Sequence, residues 1–189
     1  MILSYVYINS ENVEREDKRR IQKSASRALL DETLCRLSIV ERDVEQDNYG
    51  RPFIASRGDV DFNLSHSGDM VVCALSVGEG RVGVDVEKND ISLPERHREH
   101  FAKRYFSPSE GVDASNVVRA WTEKEAYLKY LGVGLTVDLK SVCPRDDENI
   151  RLEHLRIGEY FVTVCLGKDV PLEVIRPVTQ ETESPTEEE

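Results

Sequence analysis

The chain has 189 residues, 39% of them hydrophobic and 32% charged, which is the balance of a globular protein with a substantial core. This length fits one ordinary domain or two small lobes that share a core. Asp and Glu total 36 against 25 Lys and Arg, so the formal net charge of −11 repels nucleic acid and anionic membranes and excludes a general nucleic-acid-binding role.

The first predicted element is a strand over residues 2–8, which alternate in polarity and are rich in β-branched and aromatic side chains. No basic region precedes it, so this segment is interpreted as a strand and not as a signal peptide. No apolar stretch reaches the roughly 18–20 residues that span a bilayer. We expect a soluble, cytoplasmic protein whose four widely spaced cysteines, at positions 35, 73, 143 and 165, are buried reduced thiols.

A long helix is predicted from residue 10 to about residue 37, with apolar side chains at helical spacing and a basic group over residues 18–27. A turn cluster follows at residues 47–52. Three short strands are then predicted at 60–64, 71–77 and 82–86, separated by the polar segments Ser-His-Ser-Gly-Asp and Gly-Glu-Gly-Arg.

Ser92-Leu93-Pro94 is typical of a boundary followed by a helix, predicted over residues 94–105. A second helix is predicted with Ser115 as its N-cap, running to Tyr130 and closed by Gly132. Strands are predicted at 135–143, 150–157, 159–166 and 172–176, with an acidic, disordered tail after them. The expected fold is α+β with two similar lobes, each a small antiparallel sheet packed with helices, over residues 1–92 and 93–177, and a tail at 178–189.

The segment Val82-Gly83-Val84-Asp85-Val86-Glu87 carries the first chemical signal. Because side chains alternate along a strand, Asp85 and Glu87 share one face and the valines share the other, which faces the core. Two carboxylates at so short a distance repel each other unless a cation neutralises them. Mg²⁺, which binds one or two carboxylates plus substrate phosphates, is one neutraliser; the other interpretation is an edge strand with two solvated acids.

Two further segments carry polar groups that could join such a site. On the helix Trp121-Thr122-Glu123-Lys124-Glu125-Ala126-Tyr127-Leu128-Lys129, Glu125 and Lys129 are four residues apart and share a face. The run Asn63-Leu64-Ser65-His66-Ser67 offers hydroxyl and imidazole donors that suit an anion such as phosphate. The alternatives are a surface ion pair and a solvated histidine. Together, three acids holding Mg²⁺ with His66 and Lys129 holding a diphosphate would indicate phosphoryl-type transfer.

Four blocks, in this order, resemble the 4′-phosphopantetheinyl transferases of the larger, monomeric, surfactin-synthetase-activating-enzyme-like type. They are Gly50-Arg51-Pro52, Phe62-Asn63-Leu64-Ser65-His66-Ser67, Gly83-Val84-Asp85-Val86-Glu87 and the helix segment 121–129. The resemblance implies a pseudo-dimeric α+β fold with coenzyme A in the cleft between lobes. It also implies transfer of 4′-phosphopantetheine from coenzyme A to a serine of an apo acyl or peptidyl carrier protein, with 3′,5′-ADP as the other product.

The resemblance further implies roles for individual residues. Asp85, Glu87 and Glu125 match the family's Mg²⁺ ligands, and Glu125 matches its proposed general base. Lys129 and His66 complete the catalytic set, with Lys129 at the diphosphate. The expected coenzyme A contacts are Ser65, His66, Lys129, Arg51 in place of the family's usual lysine, and a 3′-phosphate contact that is Arg27 in first place and Lys18 or Arg19 after it. Glu110, in a Phe-Ser-x-x-Glu element, is expected to support the site.

Carrier proteins are acidic, and so is this chain, so any docking patch must be local. Arg96, Arg98, Lys103 and Arg104 on the predicted helix 94–105 form the obvious basic cluster, although an ordinary solvated helix face has the same composition. Two other functions use the same residues: a non-catalytic module that binds carrier protein or coenzyme A, and a Mg²⁺-dependent phosphohydrolase. A monomer is expected because one chain carries both halves of the site. Fatty acid, polyketide and nonribosomal peptide systems are all candidate pathways.

Overall fold

A computed structural model describes residues 1–10, 13–89, 93–134 and 136–175. Some predicted features lie outside these residues: positions 11–12 near the start of the first helix, the boundary residue Ser92, the first residue of the predicted strand 135–143, the last residue of the predicted strand 172–176, and the tail.

The described chain contains nine strands and three α-helices. The strands are β1 (Ile2–Tyr7), β2 (Val44–Gln46), β3 (Pro52–Ile54), β4 (Val60–Ser67), β5 (Met70–Val77), β6 (Val82–Lys88), β7 (Ile150–Ile157), β8 (Tyr160–Gly167) and β9 (Glu173–Ile175). The helices are α1 (Arg15–Arg36), α2 (Glu95–Tyr105) and α3 (Val117–Leu131). Short 3₁₀ helices occupy Pro108–Glu110, Leu139–Ser141 and Pro144–Asp146. The expected α+β class is confirmed.

The first sheet has the strand order β4-β5-β1-β9. Strand β5 pairs antiparallel with both β4 and β1, whereas β9 pairs parallel with β1. The apolar residues of α1 recur at helical spacing, so they form one stripe that packs on a face of this sheet. Leu30 and Leu34 of α1 meet Phe62 and Leu75 there, and all four are almost fully buried.

The second sheet has the order β6-β8-β7, and all of its pairs are antiparallel. Val82, Val84 and Val86 of β6 are buried against Met70 and Val72 of the first sheet, so one core fills the space between the sheets. The prediction that the valines of β6 face the core is therefore confirmed. The opposite side of β6 faces α3, and the alternation along the strand places Asp85 and Glu87 on that side.

Side chains of β4 close the free edge of β6, and we call this junction the seam. Main-chain N–H groups of β6 donate to β4 side chains in three places: Val82 to Asp61 Oδ2 (2.8 Å), Val84 to Asn63 Oδ1 (3.0 Å) and Lys88 to Ser67 Oγ (3.1 Å). An edge strand exposes unpaired N–H groups, and these contacts pair them without a backbone ladder. The seam thereby holds the two sheets at a fixed distance beside Asp85.

The two sheets repeat one connectivity. The first has β1-α1-β4-β5 with β5 between β4 and β1, and the second has β6-α3-β7-β8 with β8 between β7 and β6. Strand β6 pairs with β8 and so belongs to the second sheet, whereas the predicted boundary at residue 92 assigned it to the first lobe. Strand β9 returns to the first sheet beside β1.

Two local predictions are corrected by the structure. Strand β4 extends to Ser67, so the predicted turn Ser-His-Ser-Gly-Asp shrinks to its last two residues, because the seam satisfies the polar side chains of the extended strand. The predicted strand 135–143 is wrong over residues 136–143. A 3₁₀ helix forms there instead, because the Asp138 carboxylate accepts a hydrogen bond from the Lys140 N–H at 3.1 Å and caps it.

Other predictions are confirmed or adjusted. Helix α3 begins at Val117 with Asn116, not Ser115, before it, and Gly132 ends it in the left-handed conformation with φ of 73°. The short strands β2 and β3 on either side of the turn 47–52 were not predicted.

All four cysteines are free; the buried-thiol prediction is confirmed for Cys73 and Cys165, is wrong for Cys35, which is exposed, and holds only in part for Cys143, which is half-buried. None of the described helices is both long and apolar enough to cross a membrane.

Candidate active site

Asp85 lies at the centre of the candidate active site, on β6 where that strand meets the seam and α3. It is 2% exposed. Its Oδ1 accepts hydrogen bonds from Lys129 Nζ at 2.6 Å and from Ser65 Oγ at 2.8 Å. Its Oδ2 is buried and has no hydrogen-bond partner within the described part of the chain. One carboxylate oxygen is therefore held in place, while the other is buried without a hydrogen-bond partner among the described residues.

Lys129 brings a cation to this carboxylate from the last turn of α3. Its Nζ also donates to Ser65 Oγ and to the Val84 carbonyl, both at 3.1 Å, and lies 3.6 Å from Glu125 Oε2. The predicted sharing of one helix face by Glu125 and Lys129 is confirmed. The ammonium thus touches β4, β6 and α3 at once, so its position depends on all three elements.

Helix α3 reaches this site because Gly83 lets it approach β6 closely. A Cβ atom at Gly83 would overlap the main-chain carbonyl of Ala126 and would lie 2.5 Å from the main-chain nitrogen of Tyr130. Only a residue without a side chain fits between the strand and the helix at that point. The glycine of the Gly-Val-Asp-Val-Glu block therefore sets the distance between Asp85 and α3.

The two other acids of the site are hard to ionise. Burial raises the pKa of Glu87 to about 7, and the charges of Asp85 and Glu125 add to this, against a hydrogen bond from Ser67 Oγ at 2.7 Å. Burial also raises the pKa of Glu125, with the Asp85 charge as the second cause. The three carboxylates thus disfavour one another's ionisation, which is the condition that an added cation would relieve.

Within residues 1–10, 13–89, 93–134 and 136–175, no group of three or more His, Cys, Asp or Glu side chains is arranged to hold a metal ion. Asp85, Glu87 and Glu125 interact electrostatically, but the Lys129 ammonium bonds to the first of them and lies near the third. The donor chemistry nevertheless suits a hard divalent cation, because Asp85 has a buried carboxylate oxygen without a partner.

Ser65 and His66 occupy opposite faces of β4. Ser65 is buried in the seam and bonded to Asp85, as described above. His66 faces the other way and is exposed. Partial desolvation of its ring lowers the pKa of His66, and the nearby Lys129 ammonium adds to this, against a main-chain hydrogen bond of His66 that raises the pKa. The strand therefore brings Ser65 to the carboxylates and holds His66 at the outer side of the site.

Arg51 has contacts that differ from those expected of a phosphate ligand. Its side chain is only 9% exposed and pairs with Asp61 Oδ2 at 2.6 Å. It also donates to main-chain carbonyl oxygens of Val82, at 2.8 Å, and Lys129. The guanidinium is part of the seam, and its charge is balanced by a protein carboxylate.

The sequence analysis assigned no role to Lys124, although this residue lies within the 121–129 block. Its ammonium is fully buried and donates to Glu110 Oε1 at 2.9 Å, to the Leu139 carbonyl at 2.7 Å and to the Tyr105 carbonyl at 3.2 Å. These bonds tie α3 to the segments on both sides of it, next to Glu125. Glu110 thus contacts the residue before Glu125.

Asp61 and Asn63 were also missed as members of the site's frame. Polar residues recur at every second position from 61 to 67 of β4, a period-two pattern that could have indicated a strand with one polar, partnered face. The buried state of these side chains, however, depends on β6, which is distant in sequence.

Comparison with known proteins identifies the family. The family model of the 4′-phosphopantetheinyl transferase superfamily matches residues 81–175, which contain Asp85, Glu87, Glu125 and Lys129. The chain is 31% identical over 156 residues to the 4′-phosphopantetheinyl transferase AcpT of Escherichia coli strain K12, an alignment covering 78% of this chain and 75% of AcpT. The chain belongs to the 4′-phosphopantetheinyl transferase superfamily.

Two further superfamily members extend the comparison. The chain is 34% identical over 152 residues to the 4′-phosphopantetheinyl transferase Sfp of Bacillus subtilis strain 168, covering 69% of this chain and 64% of Sfp. It is 31% identical over 149 residues to the 4′-phosphopantetheinyl transferase gsp of Aneurinibacillus migulanus, covering 70% of this chain and 61% of gsp. The chain thus spans less than two thirds of the length of several curated members that it matches.

The structure separates the three residues predicted as 3′-phosphate contacts in this superfamily member. Lys18 lies beside the β4–β5 turn, with its Nζ 3.0 Å from Asp69 Oδ1. Arg19 is exposed on α1. Arg27 lies nine residues further along the helix, about 13 Å away, and pairs with Asp31 at 3.4 Å. Of the three, Lys18 is the one at the end of β4 that carries Ser67.

A groove runs from Glu87 along α2 on the opposite side of the site. Glu87, Leu93, His97, Phe101 and Trp121 are among the residues that line it. The basic cluster predicted for docking lies on the same helix: Arg96, Lys103 and Arg104 are exposed, and Arg98 lines the groove. The groove thus joins an apolar surface to one of the three acids, Glu87, and its basic lining residues are Lys88 and Arg98.

Proposed function

We propose that the protein transfers 4′-phosphopantetheine from coenzyme A to a serine of an apo carrier protein, giving holo carrier protein and 3′,5′-ADP. The observation that carries this proposal is the convergence of Asp85, Glu87, Glu125 and Lys129 at the junction of β6 and α3, inside the segment that matches the family model. Three largely buried acids and one ammonium at this junction suit a diphosphate that must be neutralised as it is cleaved.

In the proposed reaction, the hydroxyl oxygen of the carrier serine attacks the β-phosphorus of coenzyme A. A new phosphodiester bond forms to the serine, and the bond from this phosphorus to the oxygen of 3′,5′-ADP breaks. Glu125 accepts the serine proton; its raised pKa makes it a better base than an exposed carboxylate. Lys129 neutralises the diphosphate and the departing oxygen, while Ser65 keeps Asp85 oriented.

We propose Asp85, Glu87 and Glu125 as the residues that would hold Mg²⁺. The ion would supply charge neutralisation and orientation of the phosphate oxygens. The unpartnered Oδ2 of Asp85 and the raised pKa of Glu87, caused mainly by burial, support this assignment. A partial set of protein ligands is consistent with Mg²⁺, which commonly takes its remaining ligands from water and substrate phosphates.

The coenzyme A contacts are proposed in the same way. Ser65, His66 and Lys129 would meet its phosphates, with His66 at the outer side of the site. For the 3′-phosphate, the position of Lys18 beside the β4–β5 turn favours this residue over Arg27 and Arg19.

The repeated β-α-β-β connectivity supports a further proposal, that the fold is a pseudo-dimer of two lobes with coenzyme A in the cleft between them and that the protein acts as a monomer. The pairing of β6 with β8 favours a lobe boundary between β5 and β6 over one at residue 92. Which of the fatty acid, polyketide or nonribosomal peptide carriers is modified depends on docking.

The test is the intact mass of apo acyl and peptidyl carrier proteins after incubation with this protein, coenzyme A and Mg²⁺. We expect the carrier to gain one phosphopantetheine, and we expect EDTA or the isosteric substitution Asp85→Asn to abolish the gain while circular dichroism stays unchanged. Full activity of Asp85→Asn would contradict the metal assignment. Coenzyme A bound without transfer would support a binding module, and coenzyme A cleaved without a modified carrier would support a hydrolase.

A further inference from the structure

Arg51 is buried at the point where the last turn of α3 meets β4 and β6. One terminal nitrogen, Nη1, donates to the main-chain carbonyl of Lys129. The other, Nη2, donates to Asp61 Oδ2 at 2.6 Å and to the Val82 carbonyl at 2.8 Å. A guanidinium carries its donors in a rigid planar fork, so three such contacts fix the relative positions of the groups that accept them.

Asp61 completes this arrangement on the side of β6. The same Oδ2 that pairs with Arg51 accepts the Val82 N–H at 2.8 Å. Arg51 and Asp61 therefore hold both main-chain polar groups of Val82, three residues before Asp85, together with the main chain of Lys129. We call this set of contacts the Arg51–Asp61 clamp. It connects the two strands of the seam to the helix that carries the ammonium.

We propose that Arg51 is a positioning residue of the transferase site and not a phosphate contact. The clamp fixes the carbonyl of Lys129 relative to the first residue of β6, and so sets the distance at which the Lys129 ammonium meets Asp85, now 2.6 Å. The inference rests on the proposed transferase function. Its basis is that the Arg51 charge is already paired with a protein carboxylate and its side chain is only 9% exposed.

The two roles predict different kinetics. A phosphate contact contributes to coenzyme A binding, so its loss raises Kd and KM for coenzyme A. A positioning residue acts on the alignment of the reacting groups, so its loss lowers kcat and leaves coenzyme A binding nearly unchanged. Asp61 separates the roles further, because removing an acid beside a phosphate contact would not impair binding or turnover, whereas removing it from the clamp would lower kcat.

The experiment is a double-mutant cycle with Arg51→Met, Asp61→Asn and the combined variant. Arg57→Met is the matched control, because Arg57 also pairs with acidic side chains, those of Asp59 and Glu41, but lies nearer the surface. For each variant we measure kcat and KM for coenzyme A, Kd for coenzyme A by calorimetry, thermal unfolding, and amide hydrogen exchange of the last turn of α3. The combined variant leaves no unpaired charge and keeps the test valid where Arg51→Met fails to fold.

We expect each single substitution to lower kcat about 10- to 100-fold, with Kd and KM for coenzyme A changed less than about twofold. The combined variant should lose no more kcat than the less active of the two single variants, because all three variants remove the same clamp. Hydrogen exchange in the last turn of α3 should rise in these variants and stay unchanged in Arg57→Met.

Three results would overturn the inference: a rise in Kd for coenzyme A of about tenfold in Arg51→Met with kcat unchanged, losses in kcat that multiply in the combined variant, or unchanged exchange in α3. A wild-type protein that modifies no carrier would instead contradict the proposed function. The exchange and calorimetry measurements would still decide whether the clamp holds α3 and whether Arg51 contacts coenzyme A.

Discussion

Glu87 is the acid through which pH should act on the stability of this protein. Burial raises its pKa to about 7 in the folded chain, whereas an unfolded glutamate titrates near its ordinary value of 4.5. Between these two values the folded state binds more protons than the unfolded state, so the free energy of unfolding falls as pH rises. Glu125, whose pKa is also raised by burial, acts in the same direction.

We therefore predict that, in EDTA, the contribution of Glu87 to the free energy of unfolding falls by up to about 3 kcal/mol between pH 4.5 and pH 8, because one pKa unit corresponds to about 1.4 kcal/mol. Glu87→Gln should remove most of this fall, since its amide cannot ionise. Urea unfolding at a series of pH values measures the effect, and Glu148→Gln, at an exposed position, is the control.

Added Mg²⁺ extends this test. A ligand that binds only the folded state stabilises that state. At pH values above 7, excess Mg²⁺ should therefore raise the urea midpoint of the wild type, and it should raise the midpoint of Glu87→Gln less. An identical pH dependence for wild type and Glu87→Gln in EDTA would show that Glu87 keeps its ordinary pKa in the folded protein.

At the scale of single residues, the sequence predicted part of the candidate active site. The alternation of valines and acids in β6 predicted which face Asp85 occupies, because strand periodicity is local. The contacts of Arg51 with Asp61 and with the Lys129 carbonyl were not predicted, since they join residues 10 and 78 positions apart and have no local signature. The predicted phosphate role for Arg51 came from its type and block, which carry no information about burial.

At the scale of elements, Gly83 determines whether α3 can pack on β6. Its missing Cβ leaves space for the main chain of Ala126 and Tyr130, which cannot move without displacing the helix. We predict that Gly83→Ala lowers the free energy of unfolding by about 3 kcal/mol or more, because overpacking against backbone cannot be relieved by a rotamer change. Transfer activity should fall with it, as Lys129 moves away from Asp85.

The matched control is Gly58→Ala, because a Cβ there meets no atom within 4 Å. Chemical unfolding of the two variants should differ clearly, with Gly58→Ala within about 0.5 kcal/mol of the wild type. Equal urea midpoints for the two variants would show that α3 does not depend on close contact at Gly83.

The elements themselves were predictable in proportion to their length and periodicity. Helices α1 and α3 and the strands β1, β5, β7 and β8 have clear apolar patterns, and helix α2 follows the start signal at Pro94, so the sequence indicated all of them. Strands β2 and β3 have three residues each, too few for a pattern. The segment 136–143 was wrongly predicted as a strand, because the Asp138 cap is a side-chain hydrogen bond that overrides local strand propensity.

At the scale of the whole molecule, the arrangement of the sheets could not be predicted. The pairing of β6 with β8, and of β9 with β1, joins segments that are far apart along the chain. Such pairing depends on which faces the helices cover and not on local propensity. The order of predicted strands and helices gave an expectation of two lobes, but it did not predict which strands pair across the chain.

The whole molecule also raises the question of how an acidic protein could attract an acidic carrier. The net charge of −11 opposes association, so docking must depend on a local patch. Arg96 and Lys103 are exposed on α2 and seven residues apart, hence on one helix face, and Arg98 of the same helix lines the groove that reaches Glu87.

We predict that reversing both charges, in Arg96→Glu/Lys103→Glu, raises KM for an acidic carrier protein about tenfold at low salt. Neither kcat nor Kd for coenzyme A should change, because neither side chain contacts the carboxylates. The control is Arg36→Glu/Lys168→Glu, which makes the same change in net charge at exposed positions at the end of α1 and just after β8. Exposed charges are screened by salt, so the difference between the two double variants should shrink as NaCl rises to about 0.5 M. Equal KM values for the two variants at low salt would mean that the carrier docks elsewhere and that the basic residues of α2 form an ordinary solvated face.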